Sequence, residues 1–457
     1  MLANQASLAP GQVHKRIRRP ADVPARAVKI MTGMLLAPPL LLLEAWRTRS
    51  HRYRHLLLTA FFAVYGATIG IAYDPTGAGA DGVRHLLKVY VHYSDLAFGD
   101  FQRELWEILT FQVGTSPNKD VYIHVVSYFV GGVLGVPALF FFVIGTVYGY
   151  FFSGSMLIIF RDWGKARLPL ITLFLIANFF LLKNIEGVNT VRTWTGLWVL
   201  VYGSLQYYRT RRLRYLVLMA MPPFIHLGYF VMALPAYAVL LFGSRVSLYA
   251  VLFILSSTTT LISPGSFVEV AATTERGSSA VGSYYREETA DFEQVVAQTS
   301  GKRIWFVLAK LKVQRWALNL FIYTLLVCGI FTLTMNAYER WIASIGLLTL
   351  TLSNSLWFMY AIHNRAWTIG AVFLGAAFIM MRLRQADRFK APRGKFLYQL
   401  GLVSSAVLFV PYFAYNLSLF LDYPSVFLLG APFTVWLDPS VNLTIKEALR
   451  ALIYGIL

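Results

Sequence analysis

The chain has a single cysteine, Cys328, in 457 residues. No internal disulfide can form, and a cysteine-based metal site within the chain is excluded. Charge is scarce too: 14% of the residues are Asp, Glu, Lys or Arg, where a soluble chain carries roughly a quarter. No group of His, Asp and Glu has metal-ligand spacing, and there is neither a P-loop nor a G-x-G-x-x-G at a strand–helix junction. Neither a metal nor a nucleotide cofactor is expected. The apolar stretches are continuous rather than alternating, which excludes a β-barrel. No internal repeat of the kind that marks many transporters is visible. Residues 1–29 are polar and basic and lack an apolar core before a cleavage site. They read as a cytoplasmic or interfacial tail rather than a signal peptide.

What is abundant is apolar: 57% of residues are hydrophobic and the mean hydropathy is +0.56. Apolar runs fall near 30–45, 55–73, 121–160, 168–182, 191–208, 215–243, 246–263, 317–337, 341–361, 366–381, 398–417 and 424–437. At about 20 residues per crossing, they predict an all-α, polytopic membrane protein with about 11–13 transmembrane segments. Three runs are ambiguous. The first is short and contains Pro38-Pro39, so it reads as re-entrant or interfacial. The run 121–160 fits one full helix plus a half helix. The run 215–243, broken by Pro222-Pro223 and Pro235, is one kinked helix or two short ones.

The net charge of +19 would suggest a nucleic-acid partner in a soluble chain. Here the basic residues cluster in short loops at 47–55, 161–167, 209–214 and 382–395, as cytoplasmic loops do, and no nucleic acid is expected. The bilayer is the partner instead. The loop 74–120 balances acids against bases and is assigned outward. The polar segment 264–316 faces outward if 215–243 crosses twice, which also keeps 382–395 inside. Neither segment can fold alone, so 30–457 is read as one membrane domain.

Two residues stand where a bilayer tolerates them poorly. Arg192 opens the run 191–208 and His226 lies within 215–243. An ionisable group in a spanning helix costs a few kcal/mol or more unless it has a use. Arg192 could snorkel to the headgroups, or present its guanidinium fork to phosphate oxygens. His226 could be a hydrogen-bonded core residue. It also follows a Pro-Pro kink, and irregular backbone at membrane depth survives only where it is buried in protein or lines a wet cavity. An imidazole there could take a proton from a hydroxyl. In the outward loop, Asp81 follows a Gly-rich turn ahead of an amphipathic stretch, with Arg84 a turn later. Asp81 and His226 are the candidate bases, and Arg84 and Arg192 the candidate anion ligands. Asn189, Arg276, Tyr285 and Arg286 are further candidate phosphate or sugar contacts.

The segment NTVRTWTGLWVLVYGSLQYYRTRRLRYLVLMAMPPFIHLGYF, together with the upstream GADGVRHLLKVY, resembles EpsG-like, Wzy-type bacterial polysaccharide polymerases. The shared features are an Asn-x-x-Arg helix start (Asn189 and Arg192), a glycine in the same helix, a short basic loop, a His near a kink, and an outward Gly-x-Asp-x-x-Arg. The chain departs from the pattern at Thr193-Trp194, where Gln-Gly is common, and at Gly228, where Ser is common. These departures bear on the substrate. The resemblance covers about residues 55–245, and implies a metal-independent glycosyltransferase with GT-C-like helical architecture. That enzyme would join polyprenyl-diphosphate-linked oligosaccharide repeat units, donor and acceptor, at the outer face of the bacterial inner membrane, with a chain-length regulator as a further partner. The rival expectations are a flippase for the same lipid-linked oligosaccharides, a glycan ligase of the same pathway, or an envelope scaffold.

Overall fold

The computed structural model describes residues 22–71, 81–112, 116–165, 167–183, 185–273, 304–385, 389–390, 393–438 and 443–456. Among the described residues every regular element is a helix, and the only sheet-type pairing is one bridge between Pro424 and Thr444. Four helical stretches are long and apolar enough to cross a membrane: Pro137–Ile159, Leu170–Thr190, Tyr360–Gln385 and Lys395–Ser418. Shorter apolar helices cover Val121–Val133, Tyr229–Phe242, Val246–Thr258 and Val313–Val327. This is the pattern of a helical membrane protein.

The breaks fall where the chain carries its helix breakers. Helices α1 (Asp22–Leu35) and α2 (Pro39–Arg47) part at Pro38-Pro39, and α1 begins inside the stretch read as a tail. Helix α3 (His51–Ile71) precedes two amphipathic helices, α4 (Asp81–Lys88) and α5 (Phe98–Leu109). The run 121–160 divides into a half helix and a full one. These are α6 (Val121–Tyr128), with a π turn over Phe129–Val133, and α7 (Phe140–Ile159); Gly135 at φ +63° lies between them. Then come α8 (Leu170–Leu182) and α9 (Thr193–Thr210).

The run 215–243 is a hairpin of two half-helices. Its first arm is α10 (Leu213–Ala220) with α11 (Pro222–Ile225), and its second is α12 (Tyr229–Met232) with α13 (Leu234–Phe242). The Tyr237 hydroxyl donates to the Met219 carbonyl across the arms at 3.1 Å, so the apex is His226–Gly228. Next are α14 (Val246–Thr258), α15 (Pro264–Ala272) and α16 (Ile304–Val327). Helix α16 starts at Ile304 rather than 317 because Lys310, Lys312, Gln314 and Arg315 are good helix formers that hydropathy does not register. The antiparallel pair α17 (Ala337–Ser355) and α18 (Tyr360–Gln385) is followed by α19 (Lys395–Leu419). Three short helices follow: α20 (Ser425–Leu429), α21 (Thr434–Leu437) and α22 (Ile445–Ile456).

One apolar core runs through the bundle from α2 to α20. Its tightest crossing is α3 against α7, which lie antiparallel with His55 beside Tyr150 and Gly66 beside Phe141. A Cβ on Gly66 would stand 2.0 Å from the Phe141 carbonyl oxygen, and one on Gly145 would stand 2.4 Å from that of Phe62. Small residues of this kind let two helix backbones touch where apolar burial cannot drive association.

The bundle has two chemically distinct ends. Helix α9 runs 18 residues from Arg192 towards Arg209, about 27 Å at the α-helical rise. Helix α18 covers a similar distance from Arg365 to Arg384, and Arg384 pairs with Glu339 at 2.8 Å at the start of α17. Such a length matches a bilayer core of about 30 Å. The α3–α7 contact yields a test. Gly66→Ala should lower the melting temperature of the purified protein, a loss of about 1–3 kcal/mol from overpacking. Gly99→Ala on α5, with nothing within 4 Å of its Cβ, should not.

Candidate functional site

Arg192 and His226, 34 residues apart in sequence, meet on one carboxylate, and that carboxylate is Asp120. The Arg192 Nη1 donates to Asp120 Oδ2. His226 Nδ1 lies 3.5 Å from the same oxygen, and the Leu227 backbone N–H donates to Oδ1 at 2.7 Å. Asp120 has 1% side-chain exposure, against 23% for Arg192 and 12% for His226. The anion is thus sealed beneath two groups that remain reachable. Burial alone would raise the Asp120 pKa. The His226 contact, the Arg192 charge and the Leu227 N–H outweigh it and bring the carboxyl down to about 2.

Each partner is placed by a local irregularity. Asp120 is the N-cap of α6, at φ −121° and ψ 135°, yet its side chain makes no capping hydrogen bond. An aspartate there usually accepts from the second or third helical N–H; this one is turned to the hairpin instead. Arg192 follows Val191, a β-branched, fully buried residue held at φ +56°. A left-handed valine costs of order 1–3 kcal/mol and persists only where its surroundings overdetermine it. His226 is extended, at φ −155° and ψ 122°, where α11 stops. Tyr229, just past it, donates its hydroxyl to the Thr193 carbonyl at 2.7 Å and lays its ring over Gly196, where a Cβ would come within 2.6 Å. The hairpin apex is thereby fixed against the first turn of α9.

A fourth residue completes the group. Arg365, in the second turn of α18, lies 3.0 Å from His226 Nε2 through its Nη1. Arginine cannot accept a hydrogen bond, so Nε2 must be the acceptor and the imidazole proton sits on Nδ1, facing Asp120. That proton faces the carboxylate at 3.5 Å, close enough for the anion to favour this tautomer. Two arginines thus flank the Asp120–His226 pair, one on each side.

The segment carrying Asp120 is held from the other side by α4 to α6. Lys88 Nζ donates to the Pro117 carbonyl at 2.7 Å. Asn118 Nδ2 donates to the Tyr93 hydroxyl at 2.9 Å, and that hydroxyl donates to His124 Nδ1 at 2.8 Å. His124 Nε2 then donates to the Phe101 carbonyl at 3.2 Å. Every step of this buried chain runs in one direction, because the amide can only donate and the last carbonyl can only accept. His92 and Glu104, 3.0 Å apart, close its outer edge.

Of the residues singled out from sequence, Arg192 and His226 converge. Asn189 lies one turn before Arg192, and the first turn of α4 sits on it: a Cβ on Gly82 would be 2.4 Å from Asn189 Oδ1. The two separate sequence stretches around Asp81 and Asn189 are therefore neighbours in space. The Asp81 backbone opens α4, while its side chain lies outside the described residues. Arg84 is exposed on α4 rather than turned into the Asp120 cluster. Arg276, Tyr285 and Arg286 lie outside the described residues. Sequence reasoning missed Asp120 and Arg365. Asp120 closes a polar loop, where one more acid is unremarked. Arg365 falls in the short gap between the runs 341–361 and 366–381. Among the described residues no group of three or more His, Cys, Asp and Glu could hold a metal.

Removing the anion should be severe. Asp120→Ala leaves the partly covered Arg192 and the Leu227 N–H without their carboxylate, and should cost about 3–5 kcal/mol of stability. Arg192→Ala combined with Asp120→Ala should cost less than the two singles added together, by about 0.5–3 kcal/mol. Thermal unfolding of the four proteins in one detergent measures both effects. No family model, no curated protein and no solved structure matches this chain.

Proposed function

We propose that the protein is a membrane-embedded glycosyltransferase that polymerises polyprenyl-diphosphate-linked oligosaccharides. The observation that carries this reading is the buried Asp120 carboxylate, bound by Arg192 and backing the imidazole of His226, whose far nitrogen faces Arg365. In the proposed step the acceptor sugar hydroxyl attacks the anomeric carbon of the donor. A new C–O bond forms, the bond to the diphosphate breaks, and the diphosphate leaves with the electron pair. The hydroxyl proton passes to His226 Nε2, vacated when Arg365 turns to the incoming diphosphate. Arg192 and Arg365 face the charge that develops on the leaving oxygens. Asp120 is the positioning residue: both its oxygens are occupied, so it holds the imidazole in the right tautomer and stabilises the cation it becomes.

Placement follows from the same features. The basic loops at 47–55, 161–167 and 209–214 lie at the end opposite Arg192, so the positive-inside rule puts them in the cytoplasm and the site at the outer face. The hairpin apex at His226–Gly228 turns the chain back towards the basic end, and the apolar runs as a whole are the basis for proposing about 11–13 membrane segments. The membrane is then the bacterial inner membrane and the architecture GT-C-like. A flippase needs cations along a through-path; here Arg192, His226 and Arg365 gather at one end of the bundle.

The test is complementation of a strain lacking the protein, at matched membrane levels. Wild type restores polymer. His226→Ala, Arg192→Ala and Arg365→Ala leave single lipid-linked repeat units on the outer leaflet, with product down by about 10²-fold or more, as expected on losing a general base or a donor to the developing charge. Full-length polymer from all three variants would reduce the cluster to a structural role, and units trapped on the inner leaflet would make the protein a flippase.

A further inference from the structure

At the other end of the bundle three of the four basic loops close on a single cavity. Its volume is about 300 Å³, that of about ten water molecules. Arg52 and the pair His51 and His55 come from the first turns of α3, Arg161 follows α7, and Arg209 lies in the last turn of α9. Gly154 floors it. His51 and His55 lie four residues apart, but three arginines share the cavity and would repel a cation.

The positive-inside rule accounts for basic residues at helix ends. It does not account for their convergence on a recess between three helices. Three arginine and two histidine side chains line it, and the nearby acid, Asp162, lies 3.6 Å from Arg161. His55 Nε2 lies 2.7 Å from the Tyr150 carbonyl and donates to it, which fixes the ring. The N-terminus of α3 opens on the cavity, adding backbone donors and a favourable dipole for an anion. The opposing C-terminus of α9 is closed on itself, with Arg211 at φ +54° donating its N–H to the Tyr207 carbonyl.

We propose that this cavity binds a phosphate group at the basic end of the bundle, one that reaches Arg52, Arg161 and Arg209 together. The chemistry suits a phosphomonoester headgroup of an anionic lipid or a free phosphate ion, and it is independent of the reaction proposed at the Asp120 site.

The test uses the full chain in nanodiscs. In the lipid arm, native mass spectrometry counts retained phosphatidic acid against phosphatidylcholine. In the soluble arm, thermal unfolding in pure phosphatidylcholine discs is followed as inorganic phosphate is added. Wild type should prefer phosphatidic acid at one site by roughly tenfold, or be stabilised by millimolar phosphate, and whichever arm responds names the source. Arg52→Gln with Arg161→Gln and Arg209→Gln should abolish the response. The same charge loss outside the cavity, in Arg47→Gln with Arg49→Gln and Arg212→Gln, should leave it. All six side chains are exposed, so folding should survive; Arg209→Gln alone, expected to weaken the response several-fold, provides a milder check. No response in either arm, or equal loss in the control triple, overturns the proposal.

Discussion

A carboxylate taken out of water must be compensated, and at Asp120 the compensation comes from two distant parts of the chain. A guanidinium, an imidazole and a backbone N–H converge on two oxygens. The energy at stake is several kcal/mol per ion, comparable with the whole stability of an ordinary domain. That one requirement ties α6, the start of α9 and the hairpin apex into a single arrangement. Releasing any one of them would strand a charge.

The hairpin explains how an irregular backbone can exist at this depth. Pro222 and Pro223 occupy the first turn of α11, where their missing N–H groups are not needed. The helix then stops at His226, and the Leu227 N–H thereby freed is taken by Asp120. Tyr229 and Gly196 set the distance to α9, and strained Val191 sets the direction of Arg192. The site thus rests on backbone geometry at least as much as on side-chain chemistry. Asp120 is in turn held by the one-way chain from Asn118 to Phe101.

Hydropathy made much of the fold legible, because apolar runs and their proline and glycine breaks leave few alternatives to helices. The half-plus-full division of 121–160 was readable in this way. The prolines of 215–243 left one kinked helix or two short ones open, and the structure has two arms. The start of α16 was not, since Lys, Gln and Arg support a helix without raising hydropathy. The same asymmetry governs the site. Arg192 and His226 stood out because their surroundings are apolar. Asp120 did not, because its surroundings in sequence are polar and its burial arises only from tertiary packing. Arg365 was hidden by a window that ended α17 and began α18 around it. Hydropathy registers contrast, so it finds a polar residue embedded in apolar sequence and overlooks one that becomes buried only after folding.

The Leu227 contact has a consequence for how such a site can drift over generations. Because the bond is made by the main chain, nineteen of the twenty amino acids present the same donor at position 227, and the side chain can change while the hydrogen bond persists. Proline alone has no N–H to offer. A reader searching for this architecture in other chains would therefore find no signature letter at the residue on which the apex hangs. The constraint would surface only as the absence of one amino acid.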